Sequence, residues 1–343
     1  MSLENGRRFD LPPDGRIAVL RALQLGDMLC AIPACRALRA AWPYARLTVV
    51  GLPWARELVR RFDGIFDDFV ELPGFPGLPE QPVAAERWPE FVSEVRARRF
   101  DLVLQMHGDG RISNRLAALC RGRRTAGFFA PGHRCPDREL FLAYPDDGPE
   151  VRRLLALVAF LGVPVDEERL EFPIRSGDHR AAARLDADGV LRHDYVCVHP
   201  GARAASRRWA PERFAEVAER LSAQGLRIVL TGSAAERPLT ERVAAGIGAP
   251  VLNLAGRTSL GELGAVLAGA RLLISNDTGV AHLADALGVP SVVLFEPSQV
   301  ARWASLDRAT HRVVCPASDA RPDRVLAEAE PLLAGHAVRN GAS

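Results

Sequence analysis

Short apolar runs recur along this chain and alternate with stretches of helical pattern. The runs "RIAVL", "RLTVVG", "FDLVLQM", "YVCVHP", "LRIVLTG", "VLNLAG", "RLLIS" and "SVVLF" are not broken by a polar residue at every second position. A strand with one wet face alternates, whereas a continuous run fits a strand covered on both faces. Amphipathic segments lie between the runs. In "PERFAEVAERLSAQG", Pro211 suits a first helical position, Phe214, Val217, Ala218 and Leu221 form one apolar face, and Gly225 stops the helix. "SLGELGAVLAGA" opens with Ser259 and Glu262 in capping-box spacing. Strand and helix alternating with short gaps predict an α/β chain built on doubly wound parallel sheets.

At 343 residues the chain is too long for one ordinary core and fits two domains. A linker near Ile174 to Asp178 divides it into 1–175 and 176–343, two Rossmann-like domains facing each other across a cleft, with the last helix free to pack back on the first domain. The first half starts with "RIAVL" as a strand, "RALQLGD" as a loop and "MLCAIPACRALRAAW" as a helix. Pro33 should kink that helix, because an interior proline removes a backbone bond. "RRTAGFF" reads as a strand after the helical "ISNRLAALC", and 128–148 is rich in loop. No internal repeat is visible.

Composition narrows the function classes. Apolar content of 48%, charged content of 25% and a net charge of +2 describe a soluble globular protein, with no nucleic acid as partner. All 44 basic residues are arginine, as a GC-rich genome would produce. With no lysine there is no P-loop, no Schiff base and no lysine nucleophile. The opening "MSLENGRRFDLPPDG" lacks an apolar core, so no signal peptide is expected. "LLALVAFLGVPV" is too short to span a bilayer and reads as a buried helix ending at Gly162. The six cysteines are scattered without a CxxC pair. A cytoplasmic protein without disulfides or zinc follows.

Ligands of open α/β sheets bind beyond the carboxyl ends of the strands, and three loops at such ends carry unusual residues. In "SNDTGVAHL", Asp277 or Thr278 can cap a helix and Gly279 lets a ligand approach the backbone. The helix end then forms an anion site suited to phosphate, with His282 one turn further on. An ordinary capped helix with a satisfied histidine is the alternative. In "RALQLGD", Gly26 permits a tight turn and Asp27 starts the helix, either as a cap or as a general base. In "HPGARAASRRWAPERF", Arg203, Arg207 and Arg208 crowd a helix N-terminus, where a cation is unfavourable unless it meets an anion. A solvated basic loop fits that stretch equally well.

Other searches return little. There is no G-x-G-x-x-G and no G-x-S-x-G. "DAD" (Asp186 to Asp188) lies in a polar helical stretch with no strand before it and reads as surface rather than a metal site. The arginine clusters "RARR" (Arg96 to Arg99) and "RGRR" (Arg121 to Arg124) are solvated faces, or places to meet an acidic acceptor.

Taken together, the three loops resemble the ADP-heptose:lipopolysaccharide heptosyltransferases, glycosyltransferase family 9, with the two-domain GT-B fold. The resemblance runs from "VLRALQLGDMLCAIPACRALRAAWPYARLTVV" through "RRTAGF", "PGARAASRRWAPERFAEVAERL", "LTGSAAE" and "NLAGRTSLGEL". It is closest at "SNDTGVAHLADALGVPSVVLFEPSQVARW". It implies that Asp27 is the base for the acceptor hydroxyl, and that Asp277, Thr278, Gly279 and His282 hold the donor phosphates and sugar. Glu236 would bind the ribose and Thr258 would border the adenine. Arg207 stands where the family has a phosphate-contacting lysine, and arginine is a bulkier, forked donor. Glu296 replaces a usual glycine, and Ala210 precedes the proline of "WAPERF".

The reaction implied is inverting and metal-independent, with no cofactor beyond an ADP-linked sugar donor. Donor binding closes the two domains, Asp27 takes the proton, and Arg207 and the helix end stabilise the leaving diphosphate. The acceptor would be lipopolysaccharide core or a related glycan, reached by a cytoplasmic protein in peripheral contact with the inner membrane. A non-hydrolysing nucleotide-sugar epimerase and a non-catalytic binding protein on the same fold are the rival readings.

Overall fold

The computed structural model describes residues 10–315 and 321–340. The chain divides into two compact units, 1–169 and 170–343. The division falls ahead of Ile174, and Ser176 already starts a helix.

The first unit runs β1 (Arg16–Leu20), α1 (Leu25–Ala41), β2 (Arg46–Gly51), α2 (Ala55–Arg61), β3 (Asp68–Glu71) and α3 (Trp88–Ala97). It continues with β4 (Leu102–Gln105), α4 (Ser113–Leu119), β5 (Arg124–Phe129), β6 (Phe141–Ala143) and α5 (Glu150–Phe160). All six strands are parallel, in the order β3-β2-β1-β4-β5-β6. β6 lies in the stretch expected to be loop-rich; at three residues it is too short to leave a pattern. The central strands β1, β2 and β4 are buried almost throughout because helices cover both faces, which is what their unbroken apolar runs require. α1 is one helix through Pro33. Residues 28–35 are all buried, and that packing outweighs one missing backbone bond. α5 ends where the sequence indicates: Gly162 has φ +81°, and the Val163 amide donates to the Val158 carbonyl at 3.0 Å.

The second unit runs α6 (Ser176–Arg184), β7 (Tyr195–His199), α7 (Pro211–Ser222), β8 (Arg227–Leu230), α8 (Arg237–Ala245) and β9 (Val251–Asn253). It continues with α9 (Leu260–Ala268), β10 (Leu272–Asn276), α10 (Gly279–Leu287), β11 (Ser291–Leu294), α11 (Pro297–Trp303), β12 (His311–Val314) and α12 (Pro322–Asn340). Its sheet order is β12-β11-β10-β7-β8-β9. Renumbered within the unit and read backwards, that is the order of the first sheet. The chain therefore repeats one topology twice, although no sequence repeat announces it. Phe214, Val217, Ala218 and Leu221 of α7 pack against Val196, Val198, Ile228 and Leu230, and α12 packs on α7 and the strands of its own unit. The Ser259–Glu262 capping box is present, with the Ser259 amide donating to Glu262 Oε2 at 2.7 Å and the Glu262 amide to Ser259 Oγ at 3.3 Å.

The "DAD" stretch is not helical. It follows α6 in a turn, where the Asp186 carboxylate accepts from the Val190 and Leu191 amides. Arg98 of "RARR" is committed to Asp68 and Glu94. Among the described residues, no helix is long and apolar enough to cross a membrane, and no three His, Cys, Asp or Glu side chains group to hold a metal ion. None of the six cysteines is in a disulfide, and four of them are buried.

Candidate functional site

In each sheet the strand order reverses once, between β1 and β4 and between β7 and β10. At such a switch point the two connections leave towards opposite faces, and a crevice opens beyond the carboxyl ends. The loops of interest follow these strands.

In the second unit Asn276 ties the crevice together. Its Nδ2 donates to the Pro200 carbonyl at 2.8 Å, and its Oδ1 accepts from the Trp209 amide at 3.0 Å. The loop after β7 is thereby locked to the end of β10. Trp209 is buried edge-on against Phe214, with centroids 5.1 Å apart. The arginines just before Trp209 stay near the surface. Arg207 closes a short 3₁₀ turn, and its Nη1 lies 3.7 Å from Asp277 Oδ2. Arg208 turns the other way, donating from Nε to the Ala202 carbonyl at 2.8 Å.

Of the two candidate caps of α10, Thr278 holds the N-cap position with φ −158°, but its side chain makes no capping hydrogen bond. Asp277 lies beside Arg207, and its own amide donates to the Leu294 carbonyl at 2.9 Å. The first turn of an α-helix leaves its amides without intrahelical partners. Here they emerge beside Gly279, next to an arginine, at a switch point. His282, one turn on, is buried edge-on against Trp303 at 6.0 Å. Beyond it His311 bonds Ser291 Oγ at 2.8 Å and faces Asp285 at 3.7 Å.

Glu236 follows β8. Its Oε2 accepts from the Ser233 amide and hydroxyl, both at 2.8 Å. Burial works to raise its pKa, but the Ser233 donors, His199 and Arg208 hold it below the usual carboxylate range. Burial keeps the His199 imidazole below its ordinary value, and its Nδ1 pairs with Thr231 Oγ1 at 3.0 Å. A Cβ at Gly201 would sit 2.1 Å from Glu236 Oε1 and displace that carboxylate. Thr258 stands just ahead of the Ser259 cap of α9, and Glu296 is exposed as the N-cap of α11.

In the first unit Asp27 occupies the first turn of α1, half-buried. The sequence did not single out its neighbour Arg21, which is only 1% exposed. Arg21 donates from Nε to the Asp27 carbonyl at 2.8 Å, from Nη1 to the Met106 carbonyl, and from Nη2 to Glu150 Oε1 at 3.1 Å. The same Nη2 lies 3.9 Å from Asp27 Oδ1. Burial works against the guanidinium charge, but Glu150 and Asp27 outweigh it and raise the pKa. His107, after β4, accepts from the Ala22 amide at Nδ1 and faces Glu80 with Nε2 at 3.8 Å. Burial and the Arg21 charge push its pKa down to about 4, so it is neutral near pH 7.

Residues 88–332 match the profile of glycosyltransferase family 9 (heptosyltransferase). The chain belongs to this family. Among its relatives, lipopolysaccharide heptosyltransferase 1 of Pseudomonas aeruginosa is 29% identical over 307 residues, covering 82% of this chain and 79% of that protein. A family 9 glycosyl transferase from Veillonella parvula superposes with a TM-score of 0.80 at 21% identity, covering 95% of this chain and 99% of that one. The E. coli heptosyltransferase WaaC with ADP superposes with a TM-score of 0.71 at 20% identity, over 92% and 99%. The fold is GT-B, and the protein is a glycosyltransferase. A family 9 enzyme with arginine throughout keeps a cation at Arg207, where the family resemblance expects lysine.

Proposed function

We propose that this glycosyltransferase moves a heptose from ADP-heptose to a lipopolysaccharide-core acceptor, by one inverting displacement and without a metal. The observation that carries the reading is the first turn of α10: Thr278 at its N-cap makes no side-chain cap, and Arg207 faces Asp277 beside it. Amides and a guanidinium converging on one spot suit a diphosphate. The names of the relatives, a lipopolysaccharide heptosyltransferase and a heptosyltransferase with ADP, support the donor and acceptor classes.

In this reading the second unit binds the donor. Glu236, ionised and accessible beside Gly201, takes the ribose hydroxyls, Thr258 borders the adenine, and His282 with Asp277 orders the sugar end. The first unit binds the acceptor. The Asp27 carboxylate accepts the acceptor hydroxyl proton, and the oxygen attacks the anomeric carbon from the face opposite the diphosphate. The anomeric C–O bond breaks, and its electron pair leaves on the diphosphate. The growing charge meets the Thr278–Gly279 helix end and Arg207, so no metal ion is needed to neutralise it. The protein works in the cytoplasm, touching the inner membrane where a lipid-linked acceptor sits.

The test is ADP release from ADP-heptose, with and without heptose-free lipopolysaccharide. Release that depends on the acceptor is the expected result. A donor sugar altered in the absence of acceptor would replace this reading with an epimerase.

A further inference from the structure

Among the buried charged side chains of the first unit, Arg21 and Glu150 meet in the interior. Arg21 and Glu150 come from opposite ends of the unit's sequence, and their side chains are 1% and 5% exposed. Burying an ion pair costs more desolvation than its attraction returns unless the geometry is good. Here one nitrogen, Arg21 Nη2, faces two carboxylates: Glu150 at 3.1 Å and Asp27 at 3.9 Å. Only Asp27 reaches solvent, with 24% of its side chain exposed. The result is a line, Glu150–Arg21–Asp27, leading from the interior to the switch point.

We infer that Arg21 and Glu150 are positioning residues that aim the Asp27 carboxylate and set its basicity. The inference rests on the proposed role of Asp27 as the base. Arg21 fixes the place of Asp27 through its backbone, because Nε holds the Asp27 carbonyl while Nη1 holds the end of β4 at Met106. Glu150 tempers the Arg21 charge. An unopposed guanidinium beside Asp27 would stabilise the carboxylate and make it a poorer proton acceptor. With Glu150 hydrogen-bonded to the same nitrogen, much of that charge is already met. The remaining groups around Arg21 are Cys30 and Cys35 on α1 and His107 after β4, while Arg153 of α5 approaches Glu150 Oε2 at 3.8 Å. Below the thiol range the cysteines are uncharged, and His107 carries no charge above about pH 4. Between that pH and neutrality Arg21 is a fixed cation beside Asp27, with Glu150 behind it and Arg153 behind Glu150.

Two variants push Asp27 in opposite directions. Glu150→Gln leaves Arg21 acting on Asp27 alone, so the Asp27 midpoint moves to lower pH, by about one unit. The double variant Arg21→Met with Glu150→Leu removes both charges and keeps the site apolar, which buried pairs commonly tolerate. It takes the nearer cation from Asp27 and moves the midpoint to higher pH. The direct measurement is a 13C carboxyl titration of aspartate-labelled protein, with the Asp27 signal assigned by its loss in Asp27→Asn. In acceptor-dependent ADP release, Glu150→Gln should lower kcat roughly tenfold with the donor KM unchanged. Should Glu150→Gln fail to fold, the double variant alone decides. A double variant whose Asp27 midpoint stays at the wild-type value would overturn the inference and leave the pair as a structural pin. Wild-type turnover by Asp27→Asn would instead remove the base assignment, whatever the midpoints do.

Discussion

At the residue scale, neighbouring arginines of one loop have separate partners. Arg207 points at Asp277 beside the start of α10, whereas Arg208 is engaged with the Ala202 carbonyl and acts on Glu236. Arg207→Ala should therefore lower turnover by about 10²–10³-fold, the scale for losing one donor to a developing charge. Arg207→Lys should recover much of that loss, and Arg208→Ala should raise the donor KM more than it lowers kcat. Steady-state ADP release checks all three, and a larger kcat loss for Arg208→Ala than for Arg207→Ala would reverse the assignment. The sequence made Arg207 a candidate because a cation before a helix N-terminus asks for an anion. It was silent about Arg21, since a buried arginine at the end of an apolar strand looks like any loop arginine until its partner Glu150 is seen. Asn276 was equally hidden: it lies inside the quoted motif, but its work is to bind two backbones from another strand's loop.

At the element scale, the proposed donor binding turns on the helix start at Thr278. Thr278 supplies no side-chain cap to the amides of that first turn. ADP should stabilise the protein more than AMP does at equal concentration, and at a hundredfold excess over its dissociation constant ADP should contribute about 2.7 kcal/mol. Thermal shifts in matched series would measure it, and equal shifts for the two nucleotides would remove the diphosphate from this helix. The elements themselves were readable. Unbroken apolar runs mark strands buried on both faces, and Pro211, Gly225, Ser259 and Glu262 mark helix ends by local chemistry. Asp277 and Thr278 both suit a cap of α10 by type, and only the fold shows that Thr278 makes no such bond and that Asp277 lies beside Arg207. At Pro33 the helix runs on through the proline, because burial of the residues around it is a tertiary fact.

For the molecule as a whole, one topology is used twice, so each unit brings one switch point. Two Rossmann-like units were legible in the alternating runs; that their strand orders match was not, because the two halves share a pattern of strands and helices rather than residues. The interior of the first unit also makes its stability depend on pH. His107 has a folded pKa of about 4 against 6.5 unfolded. The unfolded state takes up the proton first as pH falls, so its contribution is complete above about 6.5 and is lost on the way down to about 4. Urea unfolding should show wild type losing about 2 kcal/mol more than His107→Gln between about pH 7 and about pH 4.5. Parallel losses would mean that His107 is not held neutral. The central claim concerns the reaction: a single displacement at the anomeric carbon, with Asp27 as base and the diphosphate leaving on the opposite face. Its most direct measurement is the anomeric configuration of the transferred heptose, read by NMR on product made from ADP-heptose of known configuration. The account predicts a configuration opposite to that of the donor, and a product with the donor's own configuration would contradict it.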